Sequence, residues 1–331
     1  MKRLSVGSGL VVALLAAVVL GVRFGSVPLS THDVISVLLG GGDATQRTIV
    51  LSIRMPRTLL GVFVGGGLAL AGATFQALLR NPLAEPYILG ISGGASVGAV
   101  LVIALGLAGT SSALLPLAAF CGALLAIVLV FRVATSTGRS MDVRVLLLAG
   151  VVVAAFFSAC IAFILSMSRA RTVQSAVLWI MGSLAGAEWR NVVVVATYTV
   201  PAAAVLMGLA RPLNLMAVGE ETAHYLGTDV ERVKRIALGI AALITAAGVA
   251  VAGVIGFVGL VVPHAVRLVV GSDHRTLLPF SFLAGAAFLT LADVLARMAL
   301  APTEVPIGVI TAFVGVPIFL VLLRRSLGTA T

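Results

Sequence analysis

The chain has 331 residues, of which 60% are hydrophobic and only 10% are charged, and its formal net charge is +10. A soluble domain has about 25% charged residues, so water cannot be the solvent for most of this surface and we expect a membrane protein. The positive charge alone is compatible with nucleic-acid binding, but in so apolar a chain we attribute it to basic cytoplasmic loops and expect no nucleic acid as a partner.

Apolar stretches long enough to cross a lipid bilayer recur along the chain. A transmembrane helix needs about 20 apolar residues, and residues 86–131 and 236–266 are too long for one crossing each. We divide both at turn-forming residues. These are Gly106, Gly109 and Pro116 in the first, and Gly253, Gly256 and Gly259 in the second. The sequence therefore predicts one all-α, polytopic membrane domain over residues 1–331. Its ten predicted spans are residues 4–22, 58–79, 88–108, 113–131, 145–168, 191–210, 235–255, 257–272, 276–296 and 305–323.

Two further apolar stretches need their own interpretation. Residues 172–187 are too short to cross, and we interpret them as a partly re-entrant or interfacial helix. The run after Met1-Lys2-Arg3 is longer than the hydrophobic region of a usual signal peptide and is followed by no A-x-A cleavage site. We therefore interpret it as a retained first span.

The distribution of basic residues predicts the orientation. If the N-terminus is cytoplasmic, fourteen Lys and Arg residues fall on the cytoplasmic side and eight on the outer side. Because Lys and Arg accumulate in cytoplasmic loops, we predict that both termini are cytoplasmic. The polar segment Arg80–Ala99 is then the cytoplasmic turn between spans 2 and 3, running into the glycine-rich start of span 3. Its backbone must be buried in protein or line a water-filled cavity.

A short motif occurs twice in the sequence. Gly67-Leu-Ala-Leu-Ala-Gly72 precedes Pro82 by ten residues, and Gly248-Val-Ala-Val-Ala-Gly253 precedes Pro263 by the same interval. The offset moves span 2 onto span 7, so the two copies would cross the membrane in opposite directions. Inverted repeats of this kind are typical of transporters. The alternative is that glycine and alanine recur because they let membrane helices pack closely.

Motifs for catalysis are absent from the sequence. It has no G-x-x-x-x-G-K-[ST], so we do not expect it to hydrolyse nucleotide, and it has no H-E-x-x-H, paired-cysteine metal site or catalytic triad. Cys121 and Cys160 lie in apolar runs and are expected to be core residues. The four histidines are scattered in or near loops, where ordinary polar roles are expected for them. These are His32, His224, His264 and His274.

The longest polar stretch between predicted cytoplasmic ends is Gly219–Arg235, GEETAHYLGTDVERVKR. One interpretation is a solvated loop followed by the basic start of span 7. The other is a short helix over residues 219–228, opened by Glu220 and Glu221 at its positive end and stopped at Gly227. Its apolar residues, Ala223, Tyr225 and Leu226, would then fit a groove on another protein.

Charged residues also mark the predicted outer side. Arg54 and Arg57 precede span 2 in the sequence RMPR, where they could contact lipid headgroups or acidic residues of an external protein. Arg297 ends span 9 four residues after Asp293, a spacing that allows a salt bridge. Because a carboxylate in lipid is costly, we expect Asp293 to face protein, water or Arg297.

Long stretches of the sequence resemble the FecCD/BtuC-type permeases, the membrane subunits of ABC importers for ferric siderophores, haem and cobalamin. The resemblance runs from about residue 25 to the C-terminus. Four segments carry it: RMPRTLLGVFVGGGLALAGATFQALLRNPLAEPYILGISGGASVGA, GEETAHYLG, GFVGLVVPHAVR and DVLARMALAPTEVPIGVITAFVGVPIFLVLLRR.

The resemblance implies the architecture and the partners. It implies ten spans, with spans 2–5 and 7–10 related by inversion, in a homodimer in the inner membrane of a bacterial cell. Two cytoplasmic ABC ATPase subunits would bind ATP and Mg, so this chain would hold no cofactor or metal. A periplasmic or lipid-anchored binding protein would deliver the substrate.

The resemblance also implies roles for individual residues. The coupling helix that contacts the ATPase corresponds to Gly219, Glu220, Glu221, Ala223, His224, Tyr225, Leu226 and Gly227. The arginines that receive glutamates of the binding protein correspond to Arg54, Arg57 and Arg297. The loop between spans 4 and 5, GRSMDVR, corresponds to the cytoplasmic gate and includes Asp142 and Val143. Cobalamin permeases have small hydroxyl residues in that loop, and this chain departs from them there.

We expect spans 5 and 10 to line the substrate path, with the start of span 3 nearby. The candidate path residues are Ser158, Ser166, Ser92, Gly93 and Gly94. The expected function is ATP-driven import of an iron–siderophore-type metal chelate by alternating access, with haem or cobalamin as the alternative substrate. Two alternatives from other classes are a secondary transporter driven by an ion gradient, for which Asp293 is the only candidate carboxylate, and a channel-like or structural membrane protein.

Overall fold

The structure, a computed structural model, describes residues 2–136 and 142–328, and these residues form a bundle of helices, as predicted. The helices of the first half are α1 (Lys2–Arg23), α2 (Thr31–Leu38), α3 (Ala44–Arg47), α4 (Met55–Leu78), α5 (Ile91–Ala104), α6 (Leu114–Ser136) and α7 (Val143–Ser166). Those of the second half are α8 (Ala170–Ile180), α9 (Trp189–Gly208), α10 (Ala210–Val218), α11 (Glu220–Tyr225), α12 (Val230–Ala252), α13 (Val258–Val270), α14 (His274–Met298) and α15 (Ile307–Gly328).

The apolar helices coincide with the predicted spans. Within the described ranges, seven helical stretches are long and apolar enough to cross a bilayer. They comprise α1, α4 with the helical turns before it, α6, α7, α9, α12 and α14. Three shorter apolar helices, α5, α13 and Ile307–Val321 of α15, lie where spans 3, 8 and 10 are predicted. The chain is thus a multi-pass membrane protein, while the number of crossings stays a prediction.

Several helix ends differ from the predicted span boundaries. The helix that holds span 2 begins before residue 58, because α3 and a π-helical turn at Thr48–Arg54 continue directly into α4. Pro116 does not form the turn before span 4 but lies in the first turn of α6, where its missing N–H costs nothing. The predicted helix 172–187 ends at Ile180, and Gly182 follows in a left-handed conformation with φ of 76°.

Helix α4 is the centre of the bundle and packs against α9, α12, α13 and α14. Its many glycine and alanine residues have small side chains or none, so neighbouring backbones approach closely. A Cβ atom at Gly72 would collide with the carbonyl oxygen of Gly259 in α13, and one at Gly65 would collide with that of Gly285 in α14. Membrane helices associate in this way because lipid offers no hydrophobic driving force between them.

Two of the apolar helices are too short to cross a bilayer unaided. At 1.5 Å per residue, the 14 residues of α5 and the 13 of α13 extend only about 20 Å, whereas the hydrocarbon core is about 30 Å thick. A break in the α-helical chain precedes each of them. Before α5 it covers residues 79–90, which include a short 3-10 helix at Pro86–Leu89, and before α13 it covers residues 253–257.

The two irregular segments meet inside the protein and bond to each other. The hydroxyl of Tyr87 donates to the carbonyl of Ile255 at 3.0 Å and accepts from the N–H of Ile255 at 3.1 Å. The N–H of Phe257 donates to the carboxylate of Glu85 at 2.9 Å. Residues 84–91 of the polar segment are buried or half-buried, whereas Arg80, Pro82 and Leu83 are exposed. The prediction that this backbone is buried in protein or lines a cavity therefore holds for the second part of the segment and for Arg80, which lines a cavity.

Candidate functional site

One end of the bundle holds a network of buried charges. Arg57 lies at the start of α4, and its Nε contacts both carboxylate oxygens of Asp293 in α14, at 3.0 and 3.1 Å. Its two terminal nitrogens each lie 2.9 Å from an oxygen of Glu304. Arg297 contacts the same Asp293 carboxylate through Nε at 3.1 Å, which confirms the predicted i, i+4 salt bridge.

The same network caps the C-terminus of α1. The last carbonyls of a helix lack intrahelical partners and carry partial negative charge. Arg297 donates to the carbonyls of Gly21, at 3.2 Å, and Phe24, at 3.0 Å. Arg54 donates to those of Val22, Arg23 and Val27. These guanidinium groups therefore join α1, α4 and α14 at one end of the bundle.

The expectation that Arg54, Arg57 and Arg297 are available at the surface is not met. Their exposed fractions are 3%, 6% and 3%, because carbonyl and carboxylate partners draw all three side chains inward. Their role in receiving a binding protein stays a prediction. Exposed arginines do occur in the loops and helix ends predicted to face outward; these are Arg47, Arg169, Arg171 and Arg190.

The predicted coupling helix is present at the opposite end of the bundle. It spans Glu220–Tyr225, shorter than the predicted residues 219–228. Gly227, with φ of 82°, ends it in a left-handed turn in which Gly227 N–H donates to His224 and Thr228 N–H to Ala223. The interpretation of Gly219–Arg235 as a plain loop is therefore wrong in this part.

The apolar residues of the predicted coupling helix were expected to share one face, and in the structure they do not. Ala223 is fully buried against the bundle, whereas Tyr225 is 87% and Leu226 63% exposed. Val218, just before the helix, is exposed as well. Ala223 thus anchors α11, while Val218, Tyr225 and Leu226 form a solvent-facing apolar patch, here called the α11 patch. Glu221 and His224 are exposed beside it.

Ion pairs tie α11 to its neighbours. Glu220 contacts the ammonium group of Lys234 in α12 at 2.6 Å, and Arg80, which follows α4, at 3.6 Å. Lys234 is only 4% exposed, so the first pair is shielded from solvent, whereas the Arg80 pair is half exposed and contributes little by itself. Through Glu220, the short helix is connected to the irregular segment that follows α4.

A second set of bonds connects α10, which precedes α11, to α14. The amide of Asn214 donates to Asp273 at 2.8 Å, and its carbonyl oxygen accepts from the backbone N–H of His274 at 2.9 Å. The bond from Asn214 and the backbone bond from Arg275 hold the pKa of the Asp273 carboxyl below its ordinary value. Arg3 of α1 lies 3.5 Å from Asp273, so the N-terminal end of α1 is at this end of the bundle too.

The predicted gate loop lies only partly in the described ranges. Residues 138–141 of GRSMDVR lie outside them. Asp142 caps α7, accepting from the N–H of Arg144 at 2.7 Å, which gives it a structural role the sequence interpretation missed. Asp142 and Val143 line a cavity together with Arg80, Arg144, Glu220 and Lys234. Asp142 and Val143 of the predicted gate loop, Glu220 of α11 and Arg80 of the turn after α4 thus meet around one charged cavity.

The candidate path residues are placed differently from one another. Ser158 and Ser166 are exposed on α7, and Ser166 donates to the carbonyl of Phe163 in its own helix at 2.8 Å. Ser92 and Gly93 are half-buried at the start of α5, with Gly93 beside Phe157 of α7. Gly94 is buried where α5 packs against the backbone of α6, so it serves helix packing.

A large apolar cavity runs along α15, and we call it the α15 cavity. Its volume is about 680 Å³, and all its lining residues are apolar or glycine. They include Met181, Gly256, Phe257, Val309, Phe313 and Val316. Three chain segments meet at this cavity: the end of α8, the link between α12 and α13, and the start of α15. There, the N–H of Ile307 donates to the carbonyl of Gly182, and the N–H of Gly308 donates to that of Met181.

Comparison with known proteins agrees with this architecture. The model of the FecCD transport family matches residues 13–325. The chain belongs to the FecCD transport family. Its relatives include BtuC, the cobalamin import system permease of Halobacterium salinarum, 47% identical over 286 residues, which cover 86% of this chain and 75% of that protein. HmuU, the hemin transport system permease of Yersinia pestis, is 42% identical over 285 residues, 84% of each chain.

A solved structure of a metal-chelate type ABC transporter in an inward-facing conformation has the same fold. It superimposes with a TM-score of 0.86 at 31% sequence identity, covering 96% of this chain and 98% of the other. The resemblance inferred from the sequence motifs is thereby confirmed. Within the segment Arg80–Ala99, sequence analysis did not single out Glu85 and Tyr87. The sequence did contain a signal for these two residues, because both are polar side chains beside interrupted apolar helices.

Proposed function

We propose that this chain is the membrane-spanning permease of an ATP-driven importer that moves a metal chelate into the cytoplasm by alternating access. The named relatives and the inward-facing structural neighbour support the class of transporter. The observation that carries the proposal in this molecule is α11. It presents Tyr225 and Leu226 to solvent and is joined by Glu220 to buried Lys234 and to Arg80.

The α11 patch is the proposed contact for the ATPase. An exposed aromatic and aliphatic pair beside charged Glu221 and His224 has the composition of a protein-binding surface. Because Ala223 is packed inside and Glu220 is ion-paired, a push on α11 is transmitted to α12 and to the segment after α4. One ATPase subunit would bind this patch on each of two permease copies.

Ten crossings related by an inverted repeat are proposed as the topology. The packing of α4 on α12 supports it, because the contacts are reciprocal: Gly67 of α4 faces Ile244 of α12, and Gly248 of α12 faces Val64 of α4. Helix α4 also packs on α14 while α12 packs on α6, and α4 packs on α13 while α12 packs on α5. A twofold relation between the halves produces such exchanged contacts.

We propose that two copies of the chain enclose the path and that α7 and α15 face it. Both helices present large apolar side chains outside the single chain, among them Val152 and Phe156 of α7 and Phe313 and Leu320 of α15. The α15 cavity would form part of that path. Its apolar walls suit a bulky chelate that passes without being held tightly.

The outer end of the permease is proposed to receive a periplasmic or lipid-anchored binding protein. Arg54, Arg57 and Arg297 hold this end together, while Arg47 and Arg190 offer exposed positive charge there. The proposal places both termini in the cytoplasm and the chain in a bacterial inner membrane. ATP and Mg would be bound by the partner ATPase.

Uptake by the reconstituted complex tests the function. The permease is placed in liposomes with its ATPase and binding protein, and accumulation of labelled cyanocobalamin, hemin and a ferric hydroxamate siderophore is measured with and without ATP. We expect ATP-dependent accumulation of one of these chelates, an iron siderophore first. Accumulation driven by an ion gradient without the ATPase would instead support a secondary transporter, and passive flux would support a channel.

A further inference from the structure

The interrupted helices contain a bulky residue in a backbone conformation that bulky residues avoid. Phe257 has φ of 68° and ψ of −23°, the left-handed region. For a residue with an aromatic side chain this conformation is a true outlier, and it persists only where surrounding groups hold it. Phe257 immediately precedes α13, and its carbonyl accepts the N–H of Val261 at 2.8 Å.

The conformation of Phe257 determines the wall of the α15 cavity. Phe257 lines that cavity together with Phe313. Its Cβ packs against Gly315 so closely that a Cβ atom on Gly315 would lie 2.6 Å from it. A return of residue 257 to the ordinary helical or extended region would therefore move its ring relative to α15.

The side chain that holds Phe257 in place is Glu85. Its carboxylate accepts the N–H of Phe257 at 2.9 Å, and the neighbouring Tyr87 hydroxyl bonds both backbone groups of Ile255. A carboxylate acceptor forms a stronger bond to an N–H than a neutral group does. Within the described residues, no other side chain bonds the Phe257 backbone.

We propose that Glu85 is a positioning residue for the substrate path. By accepting the N–H of Phe257, it keeps that residue left-handed and its ring at the wall of the α15 cavity. The segment that carries Glu85 begins at Arg80, which contacts Glu220 of α11 at 3.6 Å. That ion pair is half exposed and contributes little by itself, so Glu85 acts on the cavity wall through its own bond to Phe257 and not through α11. This inference rests on the proposed transport function.

The test compares Glu85→Gln with Glu85→Ala in the assembled complex. Glutamine keeps an acceptor oxygen, so E85Q should retain at least half of the wild-type uptake rate, whereas E85A should lose about tenfold, the effect of one charge-assisted bond. Phe257→Gly removes the penalty for a left-handed residue. The E85A substitution should therefore lower the uptake rate much less in the F257G background, measured against F257G alone, than it does in the wild type. Glu188→Ala, in an exposed loop, is the matched control and should transport as the wild type does.

A second readout does not depend on transport. Hydrogen exchange at the Phe257 amide, measured by mass spectrometry on the purified complex, should be about tenfold faster in E85A than in the wild type. In E85Q it should lie between the two, because the neutral amide oxygen accepts a weaker bond than the carboxylate. Equal exchange in E85A and wild type would overturn the inference, as would an E85Q uptake as low as that of E85A. If E85A alone fails to assemble, F257G must restore assembly, and failure to do so also overturns it. A wild-type complex that imports none of the three probes refutes the proposed function instead, because the exchange result stands independently.

Discussion

Replacing Asp293 with asparagine should strongly destabilise the permease, because Asp293 is the shared partner of the buried arginines Arg57 and Arg297. Asp293 is 2% exposed and lies between the guanidinium groups of Arg57 and Arg297, at about 3 Å from each. The variant keeps the shape of the side chain but leaves two buried cations to share Glu304, whose side chain is 32% exposed. The substitution therefore tests charge balance and not packing.

The magnitude follows from the geometry. At an effective dielectric constant of about 20, each ion pair at this distance contributes roughly 5 kcal/mol of gross attraction. Loss of the charge also removes the desolvation penalty of the carboxylate, which is several kcal/mol. The net cost of breaking a buried pair is then about 3–5 kcal/mol. An unfolding entropy of about 2.1 cal/mol/K per residue corresponds to roughly 1.5 °C per kcal/mol for a chain of 331 residues. The apparent unfolding midpoint should therefore fall by roughly 5 °C.

The assay is heating of the purified permease in detergent, followed by size-exclusion chromatography of the protein that remains monodisperse. Glu304→Gln is the matched control, and it should cost less than D293N because Glu304 is partly exposed. The double variant R57M/D293N removes one of the uncompensated cations and should recover part of the loss. A D293N midpoint within about 2 °C of wild type, or a larger effect of E304Q, would refute the reasoning.

Three further predictions concern the α11 patch, two arginines at the opposite end of the bundle and the central helix α4. Leu226→Asp should abolish substrate-stimulated ATP hydrolysis by the complex without lowering the thermal midpoint, because the side chain is 63% exposed; normal hydrolysis would exclude α11 as the coupler. Arg47→Glu should weaken binding-protein capture most at low salt, whereas Arg57→Glu should lower the yield of folded permease; equal capture by R47E would count against docking there. Gly72→Leu should prevent assembly, since no side chain fits against the Gly259 carbonyl, and a normal yield of monodisperse protein would contradict this packing.

The sequence was a good guide to where helices lie and a poor guide to where they end. Hydrophobic length is a property of the segment itself, so the centres of α1, α6, α7 and α9 could be read directly. Helix ends depend on partners that are distant in the sequence. The helical turns at residues 44–54 continue into α4 and contact α1 and α2, and α7 begins where Asp142 bonds the N–H of Arg144.

The same distinction explains the outcome for the site residues. The turn at Gly227 and the salt bridge from Asp293 to Arg297 are local, and both could be predicted from spacing. Whether an arginine is exposed is not local. Arg54 is buried because the end of α1 supplies carbonyls, and nothing in the sequence RMPR carries that information.

The interruptions at residues 79–90 and 253–257 give this permease a combination of fixed and movable parts. Helix α4 is held by backbone-to-backbone packing against α13 and α14, which leaves no room for a second arrangement. The ends of the broken helices are instead held by a few side chains, of which Tyr87 and Glu85 bond to the Ile255 and Phe257 backbone. Exchange of a few hydrogen bonds requires far less free energy than repacking a helix. In the proposed transport cycle, the wall of the α15 cavity can therefore change while the central helix α4 keeps its place.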